Sequence, residues 1–269
     1  MAGAFAGKVV AVTGGGRGIG RAIAQAFAAE SAKVVIGART PSYADEAVAA
    51  IARAGGTVVM IENDISRETD CQTLVATAVE RFGGLDILVH AAADIPNGGI
   101  DATDEAIRRG FDSIVMAAFW LTRAARPHLA KSGEGRIITI GSICGPTTMV
   151  LGRMAYGVCK SALDAFVRGA ALELASEGIT VNSIEPGMIA SARPVANMGI
   201  DVINAIGARS PVGRAGTSDE IAHATLFLAS PGSGFITGTS IVADGGSTIS
   251  NSDTPIKLAD HQKSSAASR

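Results

Sequence analysis

Short apolar runs rich in β-branched residues alternate along the chain with longer stretches whose apolar positions recur every three or four residues. Residues 8–13 (KVVAVT) run into glycines, and from Gly18 to Glu30 the pair Ile23 and Phe27 fall four apart, which predicts strand, turn and helix. The alternation repeats as strand 33–38, helix 42–54, strand 57–62, helix 68–82 and strand 85–90. A continuous helix over 105–130 then leads into strand 136–140, and another over 153–175 leads into strand 180–184. Pro186-Gly187 breaks the chain, and 188–211 mixes small and apolar residues with weak periodicity, as a mobile lid does. A last helix, 219–229, precedes strand 240–243.

Strands separated by helices are joined by right-handed crossovers, which predicts an α/β fold: a single-domain, Rossmann-type, doubly wound parallel sheet with helices on both faces. That domain spans 1–250, and the polar, Ser/Ala-rich stretch 251–269 reads as a loosely ordered tail. Composition agrees. Of 269 residues 47% are hydrophobic but only 4% aromatic, with 33 glycines, so the core is made of Ala, Val, Ile and Leu packed close to backbone.

Charge and cysteines narrow the partners. A net charge of -2 with interspersed signs offers no basic stripe for nucleic acid. No apolar run reaches the roughly 20 residues of a membrane span, and residues 1–7 lack the pattern of a secretion signal. Cys71, Cys144 and Cys159 form no CxxC pair, so a reduced, cytoplasmic location is the expectation. The histidines at 90, 128, 223 and 261 lack metal-ligand spacing, so no metal site is expected.

Between the first strand and helix, Thr13, Gly14, Gly18 and Gly20 give T-G-x-x-x-G-x-G, with Arg17 and Ile19 inside the turn. Glycines there permit a tight turn and close backbone approach to a pyrophosphate, and the helix N-terminus adds N–H groups and a positive dipole end. Arg21-Ala22 follow where a P-loop has Lys and Ser/Thr. The second strand ends at Ala38-Arg39 instead of in an acid that would bind ribose hydroxyls. Arg39 and Arg17 are suited to a 2′-phosphate, so NADP(H) is the expected cofactor.

Tyr156 and Lys160 lie four apart on one predicted helix face, and Ser142 follows a strand that ends at the ligand-binding edge of the sheet. A cation beside a phenol favours the phenolate, and a serine hydroxyl can hold a substrate oxygen. Ser142 does not fit the hydrolase pattern G-x-S-x-G, because its glycine immediately precedes it.

These residues resemble the short-chain dehydrogenase/reductase family over residues 7–247. Further matches are Asp64-Ile65 in N-D-I-S, Asn182 with Pro186 and Gly187 in V-N-x-x-x-P-G, Ile189 and Ser191 beyond it, and the closing Asp244-Gly245-Gly246. The resemblance implies catalysis by Ser142, Tyr156 and Lys160. It also implies cofactor contacts from Asp64, Ile65, Pro186, Gly187, Ile189 and Ser191, Lys160 on the nicotinamide ribose, and a homotetramer built through two long central helices. The expected activity is reduction of a ketone or aldehyde, or oxidation of the alcohol. The mostly apolar set Ile95, Cys144, Met149, Arg153 and Met188 is expected to line a pocket for a medium-sized hydrophobic carbonyl compound.

Two departures stand out. His90-Ala91-Ala92-Ala93 replaces the family's N-N-A-G, with His90 read as a satisfied structural histidine. Ile114 falls where the family has an asparagine that supports a proton-relay water, which implies a weakened or rerouted proton supply, with a freed backbone carbonyl as the remaining water holder. These departures motivate the alternative of an NADP-binding scaffold with little turnover. Glu185 reads either as a solvent-facing acid or as a group favouring cationic substrates.

Overall fold

The computed structural model describes residues 3–96 and 98–250; the expected tail, 251–269, lies outside the described residues. Seven parallel strands form one sheet in the order β3-β2-β1-β4-β5-β6-β7. They are β1 (Val9–Thr13), β2 (Lys33–Ala38), β3 (Thr57–Glu62), β4 (Ile87–His90), β5 (Arg136–Ile140), β6 (Thr180–Pro186) and β7 (Ser240–Ala243). The strand order reverses between β1 and β4, so the C-terminal ends of these strands open a crevice there.

Alternate strand residues feed two apolar cores. On one face, Ala11, Leu88, Ile137 and Val181 pack with α3 (Glu68–Phe82), α5 (Ala117–Ser132) and α6 (Met154–Leu174). On the other, Val10, Val12, Val89 and Ile138 pack with α1 (Gly18–Ala29), α2 (Ser42–Arg53) and α9 (Ser218–Ala229). Burial on both faces explains why the strands read as unbroken apolar runs instead of alternating ones.

The helix expected over 105–130 is three pieces: α4 (Asp104–Phe111), a π-helical turn (Asp112–Met116) and α5. A π turn widens the helix by one residue and redirects its carbonyls, and here it centres on Ile114. The lid region, expected to be irregular, contains α7 (Ala192–Met198) and α8 (Ile200–Gly207). Among the described residues no helix is long and apolar enough to cross a membrane, and no His/Cys/Asp/Glu group is arranged to hold a metal.

Candidate active site

The glycine turn meets the demands of a phosphate cradle. Gly14 and Gly18 have φ of +67° and +56°, and a Cβ on Gly20 would stand 2.3 Å from the Gly14 carbonyl oxygen, so only glycine lets α1 start so close to β1. The first turn of α1 has no side-chain cap and no acidic residue, which leaves its N–H groups and dipole free for an anion. Ile19 lies in that turn, and Ser191, at the N-cap of α7, sits across it: a Cβ on Gly18 would lie 3.6 Å from the Ser191 Cβ. A bridge between Ile189 and Gly216 anchors the lid's base, and Ala190 N–H donates to the Gly216 carbonyl at 2.8 Å. Pro186 ends β6, and Gly187 packs against Asp244 so closely that a Cβ would come within 2.7 Å.

Arginines converge on the mouth of this cradle. Arg39 Nη1 donates to both oxygens of Asp94 at 2.8 Å, and Arg109 Nε pairs with the same carboxylate at 2.8 Å. Arg109 also reaches Asp64 at 3.3 Å, so four charged groups span the slot beyond β2. Burial works against ionised Asp64, but the Ser66 hydroxyl and amide, then Arg109 and Arg39, outweigh it and hold the carboxyl below its ordinary value. Arg39, expected to meet a 2′-phosphate, is paired with Asp94, and Arg17 stacks on the Tyr43 ring at 4.7 Å. Arg193, from the lid, crosses to the Ala93 carbonyl at 3.0 Å. No carboxylate lies within ion-pair range of it among the described residues. Burial first, then Arg17 and Arg39, lower its pKa, opposed by the Asp94 charge. Sequence reading missed Arg193 and Asp94 because neither carries a local signal.

On the other side of the crevice, β5 ends at Ile140 and delivers Ser142, whose hydroxyl accepts from Cys144 N–H at 3.1 Å and lies close enough to Tyr156 to lower its phenol pKa. One helical turn after Tyr156, Lys160 is buried, with Nζ donating to the Ile140 carbonyl at 2.7 Å and lying 5.8 Å from the phenol ring centre. Burial drives the Lys160 pKa down to about 8 against the pull of Cys159 and Glu185. For Tyr156 the expectation needs correction. Burial, with Cys144 adding to it, raises its pKa, and the Ser142 hydroxyl and the Arg193 and Arg153 cations oppose this. Cys144 is buried beside this set, Ile95, Arg153 and Met188 are half-buried, and Met149 is exposed and packs over Gly157.

Beneath Lys160, His90 is 3% exposed. Thr13 Oγ1 accepts from the Ala91 and Ala92 amides at 3.0 Å, so its own hydrogen goes to His90 Nδ1 at 3.1 Å. His90 Nε2–H then donates to the Ile114 carbonyl at 3.2 Å, the carbonyl that the π turn redirects. The ring is a neutral Nε2–H tautomer, and burial followed by the Lys160 charge pushes its pKa down to about 4. His90 is thus the satisfied structural histidine, and the carbonyl expected to hold a water accepts from His90. Glu185 is not solvent-facing: it is 3% exposed and acts on Lys160.

Sheet order, glycine turn and the Ser–Tyr–Lys cluster together define an oxidoreductase of the doubly wound Rossmann class. Comparison with known proteins agrees: a family model described as enoyl-(acyl carrier protein) reductase matches residues 14–248. The chain belongs to the short-chain dehydrogenase/reductase family. It is 39% identical over 255 residues to 2,5-dichloro-2,5-cyclohexadiene-1,4-diol dehydrogenase LinX of Sphingobium indicum, covering 93% of this chain and 99% of that one. It is 34% identical to 7alpha-hydroxysteroid dehydrogenase of Clostridium sardiniense, over 86% and 90% of the two chains. Among solved structures, a Caenorhabditis elegans short-chain dehydrogenase/reductase with cofactor superposes with a TM-score of 0.86 at 31% identity, covering 91% and 97%. A 7alpha-hydroxysteroid dehydrogenase complexed with NADH and 7-oxo glycochenodeoxycholic acid gives 0.85 at 30% identity, covering 90% and 94%.

Proposed function

We propose that the protein is an NADP(H)-dependent oxidoreductase that reduces a ketone or aldehyde, or oxidises the corresponding alcohol. The observation that carries this reading is the gathering of Ser142, Tyr156 and the buried Lys160 one turn on at the C-terminal end of β5, where Lys160 Nζ donates to the Ile140 carbonyl. A nicotinamide dinucleotide bound in the cradle supplies or accepts the hydride. Ser142 holds the substrate oxygen, Tyr156 exchanges a proton with it, and Lys160 keeps positive charge beneath the phenol.

For the cofactor, Thr13, Gly14, Arg17, Gly18, Ile19 and Gly20 form the phosphate cradle, and Ser191 faces it. Arg193 is the lid's counter-charge to the cofactor phosphates. Asp64 and Ile65 border the adenine, while Pro186, Gly187 and Ile189 border the nicotinamide. Arg17 and Arg39 favour NADP(H), with Arg39 exchanging Asp94 for the 2′-phosphate. Ile95, Cys144, Met149, Arg153 and Met188 surround the carbonyl substrate. Assembly as a homotetramer is supported by apolar side chains exposed along α5 and α6, Phe119, Val158 and Leu172 among them.

The test is to mix protein with NADPH or NADH and a panel of ketones and aldehydes, following cofactor absorbance. NADPH consumption with higher kcat/KM than NADH, abolished in Tyr156→Phe, is expected. Cofactor binding without consumption across the panel supports the scaffold alternative and refutes this one, and a preference for NADH refutes the 2′-phosphate assignment.

A further inference from the structure

β2 ends without an acid, yet a carboxylate stands beside that end. In a doubly wound sheet the adenosine ribose of a dinucleotide lies at the end of the second strand, where an acid accepts from its hydroxyls or an arginine takes up a 2′-phosphate. Here β2 ends at Ala38, and Arg39 follows. A guanidinium has donors only, so Arg39 offers the ribose hydroxyls no acceptor.

Asp94, in the loop after β4, supplies one. Arg39 Nη1 donates to its Oδ1 and Oδ2, both at 2.8 Å, so the carboxylate stands within one side chain's reach of the end of β2. It is held from the other side as well. Arg109 on α4 pairs through Nε with Asp94 Oδ2 at 2.8 Å, and through Nη2 with Asp64 Oδ2 at 3.3 Å. The Asp94 amide donates to Ser113 Oγ at 3.0 Å, and Ser113 Oγ donates to the Gly110 carbonyl at 3.3 Å, which ties the loop to the helix that carries Arg109. The Asp94 side chain is 21% exposed against 51% for Arg39 and 45% for Arg109, so the acid is the inner member of the three. These contacts take one acceptor site at Oδ1 and two at Oδ2, of roughly four on a carboxylate, and leave Oδ1 able to accept again.

We propose that Asp94 takes the part of the acid missing from the end of β2, so that the protein binds NADH as well as NADPH; this rests on the nicotinamide-cofactor reading above. Arg39 is an arm with two positions. With a cofactor that ends in ribose hydroxyls, the arm stays on Asp94 and a hydroxyl donates to the carboxylate. With a 2′-phosphate present, the arm turns to the phosphate, and Arg109 keeps Asp94 paired beside it. NADPH is preferred only by the difference between two partners for one guanidinium, and NADH remains usable. Without Asp94, the same arginine would select more sharply for the phosphate.

Fluorescence titration with NADPH and with NADH, without substrate, tests this on wild type, Asp94→Asn, Asp94→Ala and Arg39→Gln. Wild type should bind both. In Asp94→Asn, NADPH should bind about two- to tenfold more tightly and NADH about three- to tenfold more weakly, since a neutral acceptor replaces a charged one. Asp94→Ala, with no acceptor, should move both in the same directions, NADH further. A damaged groove weakens both cofactors, so opposite shifts in one variant identify the exchange. NADH affinity that is unchanged or higher in both Asp94 variants, or an equal loss of both cofactors, overturns the proposal, as does a wild type that binds NADPH without detectable affinity for NADH. An Arg39→Gln variant with unchanged NADPH affinity counts instead against the 2′-phosphate assignment, and the NADH titrations of the Asp94 variants still decide the role of Asp94.

Discussion

Replacing His90 by Asn should abolish a specific part of the protein's acid sensitivity. The imidazole is buried and neutral, with a pKa of about 4 against an ordinary 6.5. Between those values the unfolded chain binds a proton that the folded protein refuses. The stabilising contribution is therefore whole above about pH 6.5 and is lost as the pH falls toward about 4. At 1.36 kcal/mol per pH unit, the gap from 6.5 to about 4 sets a ceiling of about 3 kcal/mol, of which about 2 kcal/mol is gone by about pH 5. Asn at this position is also polar but does not titrate. It should cost a roughly constant ~1 kcal/mol, for an altered hydrogen bond, at every pH. Urea unfolding of both proteins from about pH 7 to about pH 4.5 gives two stability curves whose common carboxylate titrations cancel in the difference. That difference should shrink or change sign by about 2 kcal/mol as the pH falls to about 5. A difference that stays flat would mean that His90 is not buried as a neutral Nε2–H ring, and the reading of Thr13 and Ile114 as its partners would fall with it.

Three other substitutions probe the remaining elements of the site. Asp94→Asn releases Arg39 and Arg109 from a partly exposed carboxylate and should tighten NADPH binding about two- to tenfold, from an ion pair worth about 1 kcal/mol; unchanged affinity by fluorescence titration would show that Arg39 does not meet the 2′-phosphate. Gly20→Ala places a Cβ 2.3 Å from the Gly14 oxygen, so calorimetric titration should show at least about tenfold weaker cofactor binding together with a lower Tm. Ile114→Asn buries an amide among apolar neighbours where the isoleucine is 0% exposed, and should lower stability by about 2–4 kcal/mol in denaturant unfolding. If that variant were instead as stable as wild type, the amide would have found partners that the described packing does not offer.

The fold was legible because β-branched runs buried on both faces leave a strong signal, and β2, β3 and β7 fall at the expected residues. The π turn was not, because α-helix and π-helix accept the same residues. The interruption reflects tertiary fit, seen where a Cβ on Gly110 would strike Pro96 at 2.7 Å. In the lid, α7 and α8 are short helices whose composition alone carried little periodicity. At the site, the four-residue step from Tyr156 to Lys160 was readable. Arg193 and Asp94 were not, since what marks them is convergence from distant segments. Glu185 was ambiguous in sequence, because a single acid after an apolar strand looks alike whether it faces water or a buried lysine.

The placement of Lys160 makes sense of both departures from the family pattern. A buried ammonium is costly, and here burial brings its pKa down to about 8, close enough to neutrality for it to give and take protons without losing its charge at rest. Among the described residues, His90 and Glu185 are the titratable ring and carboxyl in electrostatic reach of that charge, and they differ in kind. His90 is pinned at both nitrogens and would have to break a bond to Thr13 or Ile114 before it could accept anything from Lys160. Glu185, buried on β6, instead supports the lysine's charge, raising its pKa against the cost of burial. The histidine thus seals the β4 side of the lysine, and the His90–Ile114 contact fixes the floor of the site with that carbonyl already engaged.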